Sequence, residues 1–217
     1  MNPFLLVANW KSNKILSEAK SWIEKFSPNY NPESKTIIIC PSFTLLSEVK
    51  LCLENKKLIV ELGGQNISQF ENGEYTGEIN AAQIKDFANY VLIGHSERRK
   101  NFEETNQALD QKVELAKKYG LILIFCIQGK DTYIPNGVDV VAYEPIFAVG
   151  TGNPDTPENA NEVGEAIKGK GYKKFLYGGS VNSQNVASFT AMSNIDGILV
   201  GKASLDPLEF AKIVELA

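Results

Sequence analysis

The chain has 217 residues, 43% of them hydrophobic, with 22 lysines and arginines against 26 acidic residues and a net charge of −4. That is apolar material for one sizeable core and length enough for two small domains. Lysines are scattered among acids and no apolar stretch approaches the roughly 20 residues that span a bilayer, which argues against nucleic acid and membrane as partners. The opening MNPFLLVANWK has no basic region and no small-residue cleavage site, and Cys40, Cys52 and Cys126 lack CxxC spacing. Both features predict a soluble cytoplasmic protein without disulfides or a zinc cluster.

Eight short apolar runs follow one another along the chain: FLLVANW at 4–10, TIIICP at 36–41, LIVELGGQN at 58–66, YVLIGH at 90–95, LILIFCI at 121–127, VVAYE at 140–144, KFLYGGS at 174–180 and GILVGKA at 197–203. They are continuous, not alternating, as strands buried on both faces should be. Segments of helical period lie between most of them. Ala19, Trp22, Ile23 and Phe26 follow i, i+3, i+4, i+7, and Phe210, Ile213, Val214 and Ala217 do the same near the end. Asn80 before AAQI, Thr156 before Pro157, and Asp206 before Pro207 with Glu209 three residues on, mark helix starts. Gly120 closes a helix predicted from Thr105 to Tyr119.

Strand and helix thus alternate about eight times, which predicts a parallel sheet with helices outside: a closed (β/α)8 barrel, with an open doubly wound sheet as the alternative. No linker or composition break interrupts the beat, so a single α/β domain over 1–217 is the economical reading. The stretch 128–139 is too short for a crossover helix. A truncated crossover, a turn or a very short helix, is expected between the fifth and sixth strands.

In such a barrel the reacting groups stand where strands end at the C-terminal rim. The first strand ends in ANWK, which puts Asn9 and Lys11 on the same side of an extended chain, although a lysine there is ordinarily just solvated. His95, the sole histidine, follows the fourth apolar run; such a residue is more often structural than catalytic. Glu144 follows VVAY and precedes Pro145, and a carboxylate emerging from an apolar strand is costly unless paired, solvated or useful. YGGS brings Gly178, Gly179 and Ser180, and LVGKAS brings Gly201 and Lys202, glycine turns whose N–H groups suit a phosphate at the position usual for these barrels. PIFAVGTG at 145–152 reads as a hinged apolar lid, or else as a loop packed permanently on the barrel.

Taken in order from residue 8 to residue 204, ANWK, TGE at 76–78, GHSERR, AYEPIFAVGTG, YGGSV and LVGKAS resemble the motifs of the triosephosphate isomerase family. The resemblance implies interconversion of dihydroxyacetone phosphate and glyceraldehyde 3-phosphate, in glycolysis and gluconeogenesis, without metal or organic cofactor. It gives Glu144 the role of base at carbon and His95 that of a neutral imidazole polarising the substrate oxygens. Lys11 becomes the cation facing the enediolate, and Asn9 a neighbouring donor. Gly150, Ser180, Gly201 and Lys202 match positions whose backbone N–H groups hold phosphate, and Glu97 matches a carboxylate standing behind the reacting groups, a surface ion pair with Arg98 or Arg99 being its plainer reading.

The loop GQNISQFENGEYTGE, with Thr76 near its tip, resembles the arm with which one subunit reaches its neighbour's Asn9 and Lys11, implying a homodimer. Three departures stand out: Phe147 where the lid usually has tryptophan, Lys202 for the second glycine of a pair, and CIQG for CIGE after the fifth strand. A different phosphosugar barrel would have no need of GHSERR together with AYEP, and the intact set of Asn9, Lys11, His95 and Glu144 argues against a barrel kept for metabolite binding or partner contact.

Overall fold

The computed structural model describes residues 3–148 and 150–217; Met1 and Asn2, at the start of the opening stretch, and Val149, in the expected lid, lie outside the described residues. The strands are β1 (Phe4–Asn9), β2 (Lys35–Cys40), β3 (Glu61–Gly64), β4 (Tyr90–Ile93), β5 (Ile122–Ile127), β6 (Val140–Tyr143), β7 (Lys174–Tyr177) and β8 (Gly197–Val200). Each pairs in parallel with the next, and β8 returns to β1, closing the barrel. Closure decides between the two architectures: no open doubly wound sheet is formed.

Residue alternation along the strands sorts the core into two layers. Leu5 and Val7 of β1 point inward to meet Ile38, Leu92, Ile124, Leu176 and Leu199 in the barrel interior. Leu6 and Ala8 point outward into a larger layer under the helices. These are α1 (Leu16–Phe26), α2 (Leu46–Asn55), α3 (Ala81–Lys85), α4 (Ser96–Asn101), α5 (Asn106–Lys118), α6 (Pro157–Gly169), α7 (Val186–Thr190) and α8 (Pro207–Leu216). The α1 face formed by Ala19, Trp22, Ile23 and Phe26 is buried as its spacing predicts. Trp22 meets Trp10 at 5.0 Å between ring centroids and Phe26 at 4.7 Å, each buried ring stabilising the layer by about 1.5–3 kcal/mol.

Asn80, Thr105 and Thr156 cap their helices through side-chain oxygens, and Gly120 adopts the left-handed φ of 67° that follows α5. At α8 the outcome differs from the expected reciprocal cap. Asp206 accepts from the N–H groups of Leu208 and Glu209, but the Glu209 carboxylate turns away to accept from Ser183 N at 2.8 Å and Ser183 Oγ at 3.0 Å. The third apolar run enters the sheet only at Glu61, because Ile59 faces solvent. Residues 128–139 form turns and no helix, with Thr132 Oγ1 accepting from the N–H groups of Gln128 and Gly129.

Candidate active site

The strand ends on one side of the barrel build the site. Asn9 is the last residue of β1, and the chain then turns sharply: Lys11 has φ 52°, left-handed, and its N–H donates to Asn9 Oδ1 at 3.0 Å. Asn9 and Lys11 are therefore brought together by a turn, not by the strand alternation expected from their spacing. Gln65 fixes that turn by donating to the carbonyls of Lys11 at 2.8 Å and Cys40 at 2.9 Å. Lys11 Nζ reaches Glu97 Oε1 at 2.6 Å. Glu97 thus pairs with Lys11 instead of either neighbouring arginine: Arg98 binds Glu104, and Arg99 donates to the carbonyls of Gly94 and Cys126.

β4 stops at Ile93, two residues before His95. Gly94, at φ 71°, turns the chain so that His95 caps α4, its Nδ1 accepting the N–H of Glu97 at 3.2 Å. An acceptor at Nδ1 selects, of the two neutral tautomers, the one that carries its proton on Nε2. Across the mouth, Glu144 N donates to Ile127 O at 2.8 Å and continues β6 by one residue. Its Oε1 lies 2.9 Å from His95 Nε2, both side chains being 5% exposed. The contact lacks hydrogen-bond alignment, and among the described residues His95 Nε2 and Glu144 Oε2 are buried atoms without a partner. Trp10 Nε1, Glu104 Oε2 and Gln128 Nε2 are also buried without a partner, so what distinguishes this pair is that its two side chains meet at the strand ends. Burial pulls the His95 pKa down, the Glu144 charge pushes it up, and the net direction is upward.

Glycine turns complete the mouth. A Cβ on Gly179 would come within 2.3 Å of the Tyr177 hydroxyl and 3.0 Å of Ala148 Cβ, so this approach admits only glycine. Ser180 follows at φ 51°, a strained conformation of the kind that concentrates at functional sites. Its hydroxyl donates to Ala148 O at 2.6 Å and accepts Gly152 N–H at 3.1 Å, joining the 145–152 loop to the turn after β7. On that loop Ile146 and Phe147 are exposed while Ala148 is buried. After β8, Gly201 leads into a 3-10 turn over 202–205, with Lys202 exposed.

A cavity of about 700 Å³ joins these parts: Asn9, Lys11, Glu144, Gly150, Ser180, Gly201 and Lys202 all line it, whereas His95 does not line it and lies 2.9 Å from Glu144. A groove of about 790 Å³ beside residues 128–132 and α6 contains none of them. Among the described residues no group of three His, Cys, Asp or Glu side chains is arranged to hold a metal, and no helix is long and apolar enough to cross a membrane. Sequence reasoning missed Gln65 and Asp155, and gave Arg99 and Glu209 other partners than the ones through which they tie one loop of the mouth to another. Polar residues of this kind carry no periodic signal, because their partners lie far along the chain.

Fold and mouth together define a (β/α)8-barrel protein whose ionisable groups converge at the C-terminal rim beside glycine turns. The family model described as triosephosphate isomerase matches residues 4–133 and 130–217, two stretches that meet inside the shortened connection after β5. A triosephosphate isomerase of Mesomycoplasma hyopneumoniae is 38% identical over 97% of this chain and 98% of its own length. One of Dictyoglomus thermophilum is 39% identical over the same shares, and one of Dehalococcoides mccartyi 36% identical over 100% and 97%. The chain belongs to the triosephosphate isomerase family.

Proposed function

We propose that this protein interconverts dihydroxyacetone phosphate and D-glyceraldehyde 3-phosphate, in glycolysis and gluconeogenesis, as a cytoplasmic enzyme whose chain is one domain. The observation that carries the reading is the buried Glu144–His95 pair with its two unpartnered atoms, beside a cavity rimmed by glycine turns. Glu144 removes a proton from C1 of the ketose while His95 Nε2–H donates to the C2 carbonyl oxygen, and negative charge develops on that oxygen. Lys11 and Asn9 face the enediolate; fixed donors aimed at a developing oxyanion need no reorganisation, and one such donor contributes about 3 kcal/mol. The imidazole moves a proton between the two substrate oxygens, and Glu144 returns its proton at C2. Nothing is gained or lost overall, as an isomerisation requires. Glu97 holds Lys11 through its carboxylate and the imidazole tautomer through its N–H.

The phosphate is held by backbone N–H groups of Gly150, Ser180, Gly201 and Lys202, and the 145–152 loop excludes water from the intermediate. We further propose a homodimer through the loop around Thr76. In support, residues 71–78 are exposed, Phe70 and Tyr75 stack at 4.2 Å while partly open to solvent, and Gln65 at the root of this loop holds the Lys11 turn. Sedimentation giving a fully active monomer at assay concentration would overturn the dimer.

A coupled assay on glyceraldehyde 3-phosphate with chelator present, run beside Glu144→Asp, tests the reaction. Withdrawing the carboxylate by one methylene is expected to lower kcat about 100-fold or more with little change in substrate binding, since a 1 Å misplacement costs on that order. Failure of the native chain to turn over the triose, or full turnover by the variant, would remove the assignment.

A further inference from the structure

Asp155 lies between the end of the 145–152 loop and the cap of α6, and every polar group it has toward the barrel is engaged. Its N–H donates to Tyr177 Oη at 2.7 Å. Its Oδ1 accepts Thr156 N–H at 2.8 Å, and its Oδ2 accepts both Asn159 Nδ2 at 2.6 Å and Tyr143 Oη at 3.1 Å. Capping α6 does not call for this, because Thr156 already accepts from Asn159 N. The remote partners are more telling. Tyr143 is the residue before Glu144, its ring turned outward while the glutamate points inward. The Tyr177 hydroxyl donates onward to Gly179 O at 3.0 Å, in the turn that carries Ser180. Burial, and then the Asp155 charge, push the Tyr143 pKa up, so its hydroxyl stays a donor.

We propose that Asp155 is a positioning residue: its carboxylate staples the root of the lid to Tyr143, at the end of β6 that bears Glu144, so that lid and base keep one relative placement. The inference rests on the isomerase reading for its kinetic consequence. A staple that loosens leaves the bound enediolate less well covered. Its electron pair can then expel phosphate by breaking the C3–O bond, leaving an enol that rearranges to methylglyoxal instead of being reprotonated at carbon.

Asp155→Ala, Asp155→Asn and Tyr143→Phe are compared with the native chain in three measurements: kcat and KM, the fraction of turnovers ending in free phosphate, and hydrogen exchange of the peptide spanning the lid with and without inorganic phosphate. For Asp155→Ala the expectation is a fall in kcat and a rise in the phosphate-loss fraction, each about tenfold, the weight of one charge-assisted hydrogen bond, with faster exchange in the lid peptide. Asp155→Asn keeps one acceptor oxygen and should fall between. A residue serving only the helix end would lower the melting temperature yet leave the phosphate-loss fraction and lid exchange at native values, and that result overturns the proposal. Should Asp155→Ala not fold, the Asn and Phe variants decide by the same criteria. If the native chain fails to isomerise the triose, the functional reading falls, and lid exchange alone scores the staple: equal exchange in native and variant chains sinks it.

Discussion

Glu144 and Glu104 have the same side-chain exposure, 5%, and entirely different company. Each keeps one oxygen without a partner among the described residues. The other oxygen of Glu104 is gripped by Lys112 and by Arg98 Nε, and Lys112 is in turn held by Asn66 at 2.8 Å. The Glu144 carboxylate meets no cation among the described residues, only the His95 imidazole, without alignment, and the Cys126 thiol, beside a cavity. Burial alone therefore does not mark a reacting carboxylate. What separates the two is whether cations have already claimed the charge: a claimed charge holds loops together, and an unclaimed one is available to a substrate.

The same isosteric change at both positions sharpens that contrast. Glu144→Gln should lower kcat about 1,000-fold, the usual weight of a general base, with a melting temperature at or above the native one, because a costly buried charge is removed. Steady-state assay and calorimetry on one preparation check it; parallel loss of stability and activity would erase the distinction. Glu104→Gln should do the reverse, costing about 3 kcal/mol of stability by leaving buried Lys112 without its counter-ion, with activity per folded molecule near native.

That cost should depend on pH with a definite sign. Burial raises the Glu104 pKa, Lys112 and Arg98 outweigh it, and the folded value lies below the ordinary 4.5. Its stabilisation is thus complete above about pH 4.5 and is lost as pH falls through the folded value, so the gap between native and Glu104→Gln should narrow in acid. Denaturant titrations from pH 7 to pH 3 read this directly. His95→Gln should lower kcat about 100-fold through the lost imidazole donor, with unaltered stability separating it from a structural histidine. The smallest effect is expected for Glu97→Gln: under about 1 kcal/mol of stability, as befits a partly exposed pair, and a few-fold rise in KM from a less well held Lys11.

The barrel was legible because strands buried on both faces are written as unbroken apolar runs, and because Asn80, Thr156 and Asp206 announce their helices chemically. His95 and Glu144 were legible as polar residues closing such runs. The turns that aim them were not. Nothing in ANWK states that Lys11 adopts a left-handed φ, and nothing in YVLIGH states that the strand stops short so that the histidine caps a helix. Lys112 offered a usable signal, a cation at the i+3 position of the Leu109, Val113 and Ala116 face of α5, where only a buried counter-ion makes sense. Asp155 offered none, since its partners Tyr143 and Tyr177 lie on separate strands.

The helix-free connection after β5 also bears on how the chain assembles. It places Ile124 opposite Val140, a smaller sequence separation than for any other neighbouring strand pair among the described residues. Closing a short loop costs the least chain entropy, so folding should nucleate there, with φ-values at Ile124 and Val141 above those at Val7.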